Sequence, residues 1–201
     1  MPTPEFPKAD PADAPFWDMR YQAHFTPWDA GRVPEGLRVF IARERPVGRV
    51  LVPGCGSAWD VRFLAESGCD VEGIDFSAAA IEAARPVMGA HAARVRRADF
   101  FGSEVSGPFA LIYERAFLCA LPRRLWGDWA ARVSALLGTG GMLAGYFLFD
   151  EPGRGPPFAL HGQAELDGLF AGRLVRCEDL PVVDSIAVFA GKERWQAWRK
   201  H

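Results

Sequence analysis

The chain has few of the features that mark a membrane, secreted or nucleic-acid-binding protein. Its 201 residues include only four cysteines and four histidines, which are scattered and have neither zinc-ligand spacing nor a disulfide framework. No apolar run approaches the roughly 20 residues that span a bilayer, and the N-terminus lacks the apolar core of a signal peptide. The formal net charge of -2 gives no basic surface for nucleic acid. We therefore expect a cytoplasmic monomer that binds small molecules and has neither nucleic-acid nor membrane partners.

The N-terminal segment differs in composition from the rest of the chain. Residues 1–15 hold five of the 16 prolines and little apolar periodicity, so we expect a flexible lead-in. Apolar residues then recur at roughly helical spacing over residues 16–25, and Pro27 ends that segment. A second helical stretch covers residues 34–45. The total length fits a single domain, which we place at residues 16–201.

From residue 49 onward, short apolar runs alternate with longer amphipathic ones, which is typical of βαβ units. These patterns predict strands at 49–53, 70–74, 94–96, 109–113 and 142–149, after a glycine-rich turn, and helices near 58–67, 77–85, 122–137 and 165–170. Two last runs, 174–178 and 185–190, are joined by a short link at Pro181 that suits an antiparallel hairpin. The sequence therefore predicts an α/β fold with a seven-stranded, mostly parallel sheet, one reversed strand and helices on both faces.

A G-x-G turn directly follows the first predicted strand. The glycines Gly54 and Gly56 lack side chains and let a ligand approach the backbone closely, although the pattern alone also describes an ordinary turn. Asp75 ends the next strand, about 20 residues later, where its carboxylate can accept hydrogen bonds from ribose hydroxyls. The combination favours a nucleotide-like ligand at this edge of the sheet.

Two common nucleotide-binding motifs do not fit this loop. A dinucleotide fingerprint requires a third small residue where this chain has Trp59, so NAD and FAD are disfavoured. No Gly-Lys-Ser/Thr follows the glycines, which argues against a triphosphate. S-Adenosylmethionine carries no phosphate and fits both observations. Asp99 follows the third strand, where it can either border an adenine or form a structural turn.

Five stretches of the sequence resemble the thiopurine methyltransferase superfamily, which includes thiopurine, thiol and halide or thiocyanate methyltransferases. They are residues 16–21 with 26–31, 52–56, 73–75, 112–115 with 119–121, and 155–158. The first and last are the most specific, because most class I methyltransferases have the glycine loop and the aspartate. The resemblance covers nearly the whole chain. It implies a Rossmann-like class I methyltransferase fold with an N-terminal lid at residues 16–45, and methyl transfer from S-adenosylmethionine that leaves S-adenosylhomocysteine.

The resemblance also implies roles for individual residues. Those expected to contact the cofactor are Trp17, Trp28, Gly54, Gly56, Asp75, Phe76, Asp99, Phe100 and Glu114. Arg115 is expected where cofactor and acceptor meet, as the catalytic and acceptor-binding residue, and Pro157 and Phe158 are expected to wall the acceptor pocket. Trp17 could instead be a packing aromatic, and Arg115 could instead form a surface salt bridge.

The residues leave the methyl acceptor open. A thiol with a pKa of about 8.5 is a few per cent thiolate at neutral pH, and a nearby Arg115 raises that fraction, so no dedicated base is required. An oxygen acceptor would need a proton partner such as Glu114 or His24. Candidates are thiopurines, sulfide, small thiols, halides and oxyanions of selenium or tellurium. The alternatives are O- or N-methyl transfer, a non-catalytic cofactor-binding module and a dehydrogenase.

Overall fold

Helices and strands alternate along most of the chain in this computed structural model, which describes residues 4–151, 153 and 155–201. The helices are Ala14–Gln22 (α1), Glu35–Glu44 (α2), Trp59–Glu66 (α3), Ala78–Met88 (α4), Trp126–Leu136 (α5) and Gln163–Phe170 (α6). The strands are Arg49–Pro53 (β1), Asp70–Asp75 (β2), Val95–Arg97 (β3), Phe109–Arg115 (β4), Leu137–Leu148 (β5), Leu174–Pro181 (β6) and Glu193–Lys200 (β7). Short 3₁₀ turns lie at Gly89–Arg94, Leu118–Ala120 and Arg123–Leu125.

The strands form one seven-stranded sheet in the order β3-β2-β1-β4-β5-β7-β6. Neighbours from β3 to β5 are parallel, whereas β7 runs antiparallel to both β5 and β6. This confirms the prediction of a mostly parallel sheet with one reversed strand. The strand order changes direction between β1 and β4, which opens a crevice at the carboxyl ends of these strands.

Hydrophobic clusters cover both faces of the sheet. Leu51 of β1 packs on the face that carries Trp129 of α5, whereas its neighbours Val50 and Val52 pack on the face that carries Phe40 of α2. Successive strand residues point to opposite faces, so a strand buried on both sides consists of consecutive apolar residues. The predicted placement of helices on both faces is confirmed.

The prediction of the last strand at residues 185–190 is wrong. Those residues form turns, and the strand is Glu193–Lys200, so the link after β6 is longer than a hairpin turn and Pro181 itself ends β6. The prediction chose residues 185–190 because they form an apolar run, whereas the true strand β7 carries several charged residues. Trp195 and Trp198 hold β7 in place, since they pack into the clusters on opposite faces.

The start of β5 also differs from the prediction. Leu137 pairs with Phe109 and Met142 pairs with Leu111, so the glycine-rich residues 138–141 form an irregularity inside the strand and not a turn before it. The helix predicted at 122–137 begins later, after the 3₁₀ turn at Arg123–Leu125. Within the described ranges, no helix combines the length and apolarity that a membrane crossing requires.

Candidate functional site

A cavity of about 940 Å³ lies at the carboxyl ends of β1, β2 and β4. Among the site residues predicted from the sequence, those that line it are Trp17, Trp28, Gly54, Gly56, Asp75, Phe76, Asp99, Phe100, Arg115 and Pro157. Lead-in residues such as Phe6 and Pro11 lie along the same cavity, and the lead-in is tied to the body by an ion pair between Asp10 and Arg124 at 2.6 Å. Both the flexibility of the lead-in and the lid remain predictions.

Two predicted site residues, Glu114 and Phe158, are not among the described residues that line the cavity. Glu114 is 1% exposed, and its Oε1 accepts hydrogen bonds from the backbone N–H groups of Phe117 and Leu118, each at 2.9 Å. Phe158 packs against the hydrophobic cluster around α5, and its N–H donates to the carbonyl of Cys119. The structure therefore places both residues in support of the loops around the cavity.

The glycine loop presents its backbone to the cavity. Gly54 and Gly56 have φ values of +59° and +51°, in the left-handed region that favours glycine. A Cβ at Gly54 would lie 2.4 Å from the Phe117 ring, and a Cβ at Gly56 would lie 2.5 Å from the Tyr21 hydroxyl. The loop therefore needs glycine at both positions, for backbone conformation and for space.

Asp75 closes the cavity beside this loop. Its Oδ2 accepts a hydrogen bond from Gly56 N at 3.1 Å, and its Oδ1 accepts one from Ser77 N at 2.9 Å. Burial raises the pKa of Asp75 to about 6, although both backbone N–H groups oppose that shift. A carboxylate has about four lone-pair sites, so acceptor capacity remains for a pair of vicinal hydroxyls.

Aromatic side chains from the N-terminal segment form one wall. Trp28 makes edge-to-face contacts with Trp17 and Tyr21, with ring centroids 5.4 Å and 6.0 Å apart. Tyr21 lines the cavity but was not predicted as a site residue. Its position four residues after Trp17, on the same face of α1, is the signal that could have identified it.

A second aromatic group borders the loop after β3. Phe100 packs edge-to-face against Phe101 and Phe117, with centroids 5.3 Å apart in both pairs. Phe117 also lines the cavity and was missed by the sequence analysis. Asp99 lines the cavity while its Oδ1 accepts a hydrogen bond from Phe101 N at 2.9 Å, so it forms a turn as well.

Arg115 is engaged in a buried ion pair. Its guanidinium donates to Glu193, and the two side chains are only 12% and 4% exposed, so the pair is not a surface salt bridge. The guanidinium also lies over the ring of Tyr146, 4.6 Å from its centroid. Burial is the largest single influence on the pKa of Arg115 and lowers it, but Glu193 together with Tyr113, Asp60 and Tyr146 gives a net upward shift.

The cavity surface beyond Arg115 is largely apolar. It includes Ala116, Cys119, Val188 and Phe189, together with Pro157 of the loop after β5. Two other residues of the predicted acceptor loop, at positions 152 and 154, lie outside the described residues. Burial raises the pKa of Cys119 well above its ordinary range, so its thiol stays neutral. This end of the cavity suits a small apolar molecule.

Comparisons with known proteins agree with this geometry. The family model described as thiopurine S-methyltransferase matches residues 12–201. Thiocyanate methyltransferase 1 of Brassica oleracea is 32% identical over 193 residues, which cover 92% of this chain and 84% of that protein. A thiopurine S-methyltransferase of Vibrio campbellii is 30% identical over 86% of this chain and 88% of that protein.

A solved structure matches the whole architecture. It is the 1,6-didemethyltoxoflavin-N1-methyltransferase of Burkholderia thailandensis with bound 1,6-didemethyltoxoflavin and S-adenosylhomocysteine, with a TM-score of 0.74 and 19% identity over 98% of this chain and 92% of that one. The Rossmann-like class I methyltransferase fold is thereby confirmed. The sequence relatives are named methyltransferases, which favours methyl transfer over the dehydrogenase and the non-catalytic module. The chain belongs to the thiopurine S-methyltransferase family of S-adenosylmethionine-dependent methyltransferases.

Proposed function

We propose that this enzyme methylates small neutral thiols, in preference to halides, thiocyanate or other free anions. The observation that carries the proposal is the buried ion pair of Arg115 and Glu193, because it leaves the acceptor end of the cavity without an unpaired arginine. A neutral, apolar thiol can enter such a pocket at little electrostatic cost. A halide or thiocyanate would lose its hydration there and, unlike a thiol, brings no apolar body whose burial offsets that cost.

We also propose where the cofactor binds. The cavity volume of about 940 Å³ is large enough for an adenosyl group and a small acceptor together. The bare backbone at Gly54 and Gly56 would hold the methionine portion, and Asp75 would accept hydrogen bonds from the ribose hydroxyls. Trp17 and Trp28 would cover the ligand, and the loop at Asp99 would border the adenine. When bound, the cofactor supplies an electrophilic methyl group.

The charges around the cavity support a neutral acceptor. Among the described lining residues the arginines are Arg20, Arg32 and Arg115. Arg20 stacks over Phe16, with its guanidinium carbon 3.4 Å from the ring centroid, and Arg32 contacts Asp184 at 3.3 Å. Each guanidinium is therefore already engaged with a ring or a carboxylate. Arg32 and Arg115 are each paired with a carboxylate, so neither adds a net positive charge that attracts free anions.

Arg115 still has a chemical role in this arrangement. A guanidinium has five N–H donors, and one of them is used on Glu193. Its remaining donors can stabilise a thiolate beside the ring of Tyr146, which lowers the pKa of the thiol, so that its proton passes to solvent as the acceptor enters and the reactive fraction increases. The apolar surroundings exclude water and align the sulfur with the methyl group. Arg115 thus prepares the nucleophile without acting as a base.

A direct test is a methyl-transfer assay with an aromatic thiol, an aliphatic thiol, a thiopurine, iodide and thiocyanate. We expect kcat/KM for the best thiol to exceed that for either anion by at least about tenfold, a difference of about 1.4 kcal/mol. The assay should use equal acceptor concentrations and a fixed, saturating level of S-adenosylmethionine. Iodide or thiocyanate as the best acceptor would refute the proposed preference.

Oxygen methylation is the second candidate from the sequence, with Glu114 or His24 as a proton partner. His24 is exposed and is not among the described residues that line the cavity. The carboxylate of Glu114 is instead occupied by two backbone N–H groups of the loop after β4. We predict that Glu114→Gln keeps kcat within about threefold of wild type, because an amide oxygen can still accept both hydrogen bonds. Glu114→Ala should be destabilised, since each unpaired buried N–H group costs about 1–3 kcal/mol. A large loss of kcat in a stable Glu114→Gln variant would restore Glu114 as a proton acceptor.

The buried carboxyls predict opposite effects of pH on stability and on cofactor affinity. Burial raises the pKa of Asp75 to about 6 and those of Asp60 and Glu114 to about 7. The folded state therefore binds more protons than the unfolded state between roughly pH 4 and 7, and its stability rises as the pH falls through this range. We expect the Tm of the ligand-free enzyme to increase by a few degrees from about pH 8 to about pH 5.5, at about 2–4 °C per kcal/mol.

Cofactor affinity should move the other way, because a protonated Asp75 is a poorer acceptor for ribose hydroxyls. Calorimetry with S-adenosylhomocysteine over the same range measures this, and the variant Glu114→Gln is the control. That variant should show a smaller pH dependence of Tm and an unchanged pH dependence of affinity. A Tm that falls steadily on acidification to about pH 5.5 would contradict the assignment of raised pKa values.

A further inference from the structure

A chain of hydrogen bonds joins the N-terminal helix α1 to the proposed ribose site. Asp18 of α1 accepts hydrogen bonds through Oδ1 from Ser77 Oγ at 2.6 Å and from Ala79 N at 3.0 Å. Ser77 in turn donates its backbone N–H to Asp75 Oδ1 at 2.9 Å. A single residue, Ser77, therefore contacts the carboxylate of the helix and the carboxylate of the cavity.

Ser77 has a fixed position in this series of hydrogen bonds. It is fully buried, at 0% exposure, and its Oγ also accepts a hydrogen bond from Ala80 N at 3.0 Å, which caps α4. The hydroxyl has one hydrogen, and that hydrogen is committed to Asp18. Asp18 also accepts from Ala79 N in the first turn of α4, so its position determines how the hydroxyl and the start of α4 are held.

Helix α1 also contacts the second donor to Asp75. Gly56 N donates to Asp75 Oδ2, and the Tyr21 hydroxyl lies 2.5 Å from the position that a Gly56 Cβ would take. Trp17, next to Asp18, lines the cavity. Helix α1 thus touches both backbone segments that orient the Asp75 carboxylate, one through Ser77 and one at Gly56.

We infer that Asp18 is a positioning residue for cofactor binding, which acts through Ser77 to orient the Asp75 carboxylate. The inference rests on the proposed contact between Asp75 and the ribose. Docking of α1 and binding of the cofactor then depend on the same hydrogen bonds, so each strengthens the other. The negative charge of Asp18 also contributes, after burial, to the raised pKa of Asp75.

The test measures the dissociation constant for S-adenosylhomocysteine by calorimetry. We expect Asp18→Ala and Ser77→Ala to raise it by about tenfold each. The variant Asp18→Asn should stay within about threefold of wild type, because its amide oxygen still accepts from the Ser77 hydroxyl. The control is Asp13→Ala, an exposed carboxylate at the start of the same helix whose side chain caps nothing, and it should bind as wild type does. Equal losses in Asp18→Asn and Asp18→Ala would overturn the positioning role.

A double-mutant cycle with Asp75→Ala shows whether Asp18 acts through Asp75. In the Asp75→Ala background, Asp18→Ala should change the dissociation constant by less than about twofold. The same tenfold loss in both backgrounds would overturn the inference while leaving the ribose contact intact. Wild-type affinity in Asp75→Ala alone would instead refute the ribose contact itself. If Asp18→Ala does not fold, Ser77→Ala takes its place in the same cycle.

A second experiment measures the docking of helix α1 directly, by its protection from a protease. Trypsin cleavage after Arg20, in the last turn of α1, should be slowed by S-adenosylhomocysteine in the wild-type enzyme. In Asp18→Ala, S-adenosylhomocysteine added at the same multiple of that variant's own dissociation constant should give no protection. Equal protection of the two proteins at equal occupancy would show that α1 docks independently of Asp18, and would overturn the inference.

Discussion

Replacing Asp75 with alanine is expected to raise the dissociation constant for S-adenosylhomocysteine by about 100-fold or more, because hydrogen bonds to a charged group are worth roughly 1.5–3 kcal/mol each. The substitution removes the proposed acceptor for the ribose hydroxyls. It also removes the partner of the Gly56 and Ser77 N–H groups, which fix the glycine loop against β2. Calorimetry on the purified variant measures the loss, and methyl transfer should fall in parallel at subsaturating cofactor.

The matched control is Asp70→Ala at the other end of the same strand. Asp70 has a 65% exposed side chain that pairs with Arg94 at the surface, away from the cavity. Its replacement should leave cofactor affinity unchanged. The Tm of both variants separates binding from stability, since Asp75→Ala also leaves backbone donors unpaired. A folded Asp75→Ala variant with wild-type affinity would disprove the proposed ribose contact.

The second large effect is expected from Glu193→Gln, which should improve methyl transfer to iodide and thiocyanate relative to thiols by about tenfold or more. Glutamine still offers Arg115 an acceptor oxygen but removes the negative charge that neutralises it. The guanidinium then presents a net positive charge to the acceptor end of the cavity. The ratio of kcat/KM for thiocyanate to kcat/KM for an aromatic thiol, measured in both proteins, is the readout.

Glu178→Gln is the control for this substitution. It changes another strand glutamate that pairs with an arginine, Arg43, at 2.7 Å, and neither residue is among those that line the cavity in the described part of the chain. Its acceptor preference should match wild type. Glu193→Gln should also be less stable, because removal of one partner of a buried pair costs up to about 3–5 kcal/mol. An unchanged acceptor ratio in folded Glu193→Gln would contradict the proposed neutralisation of Arg115.

The site residues that could be predicted from the sequence are those marked by a short motif or by the end of a predicted strand. Gly54 and Gly56 stand out because left-handed backbone and lack of space both demand glycine there. Asp75 stands out because it ends a strand one βαβ unit later, and parallel strands place their carboxyl ends at one edge of the sheet. Ten of the predicted site residues line the same cavity. Strand ends and motif spacing were therefore enough to predict most of the residues at this site.

The parts that sequence reasoning missed depend on contacts between distant segments. Glu193 lies on β7, which is buried between β5 and β6. The sequence pattern placed this strand at a nearby apolar run, because the charged residues of β7 do not indicate a buried strand. The importance of Glu193 comes from Arg115, which lies far away in the chain. Likewise, Phe117 became a site residue only because its ring packs on Gly54. Short-range patterns contain no information about such pairs.

A crystal structure of the enzyme with S-adenosylhomocysteine would show whether the cofactor binds at Asp75. We expect the adenosyl group across the carboxyl ends of β1 and β2, with its ribose hydroxyls about 2.5–3.0 Å from the Asp75 carboxylate oxygens. The thioether sulfur should face the apolar surface beside Arg115. A well-ordered ligand bound elsewhere, or one whose ribose makes no contact with Asp75, would contradict the proposed cofactor site.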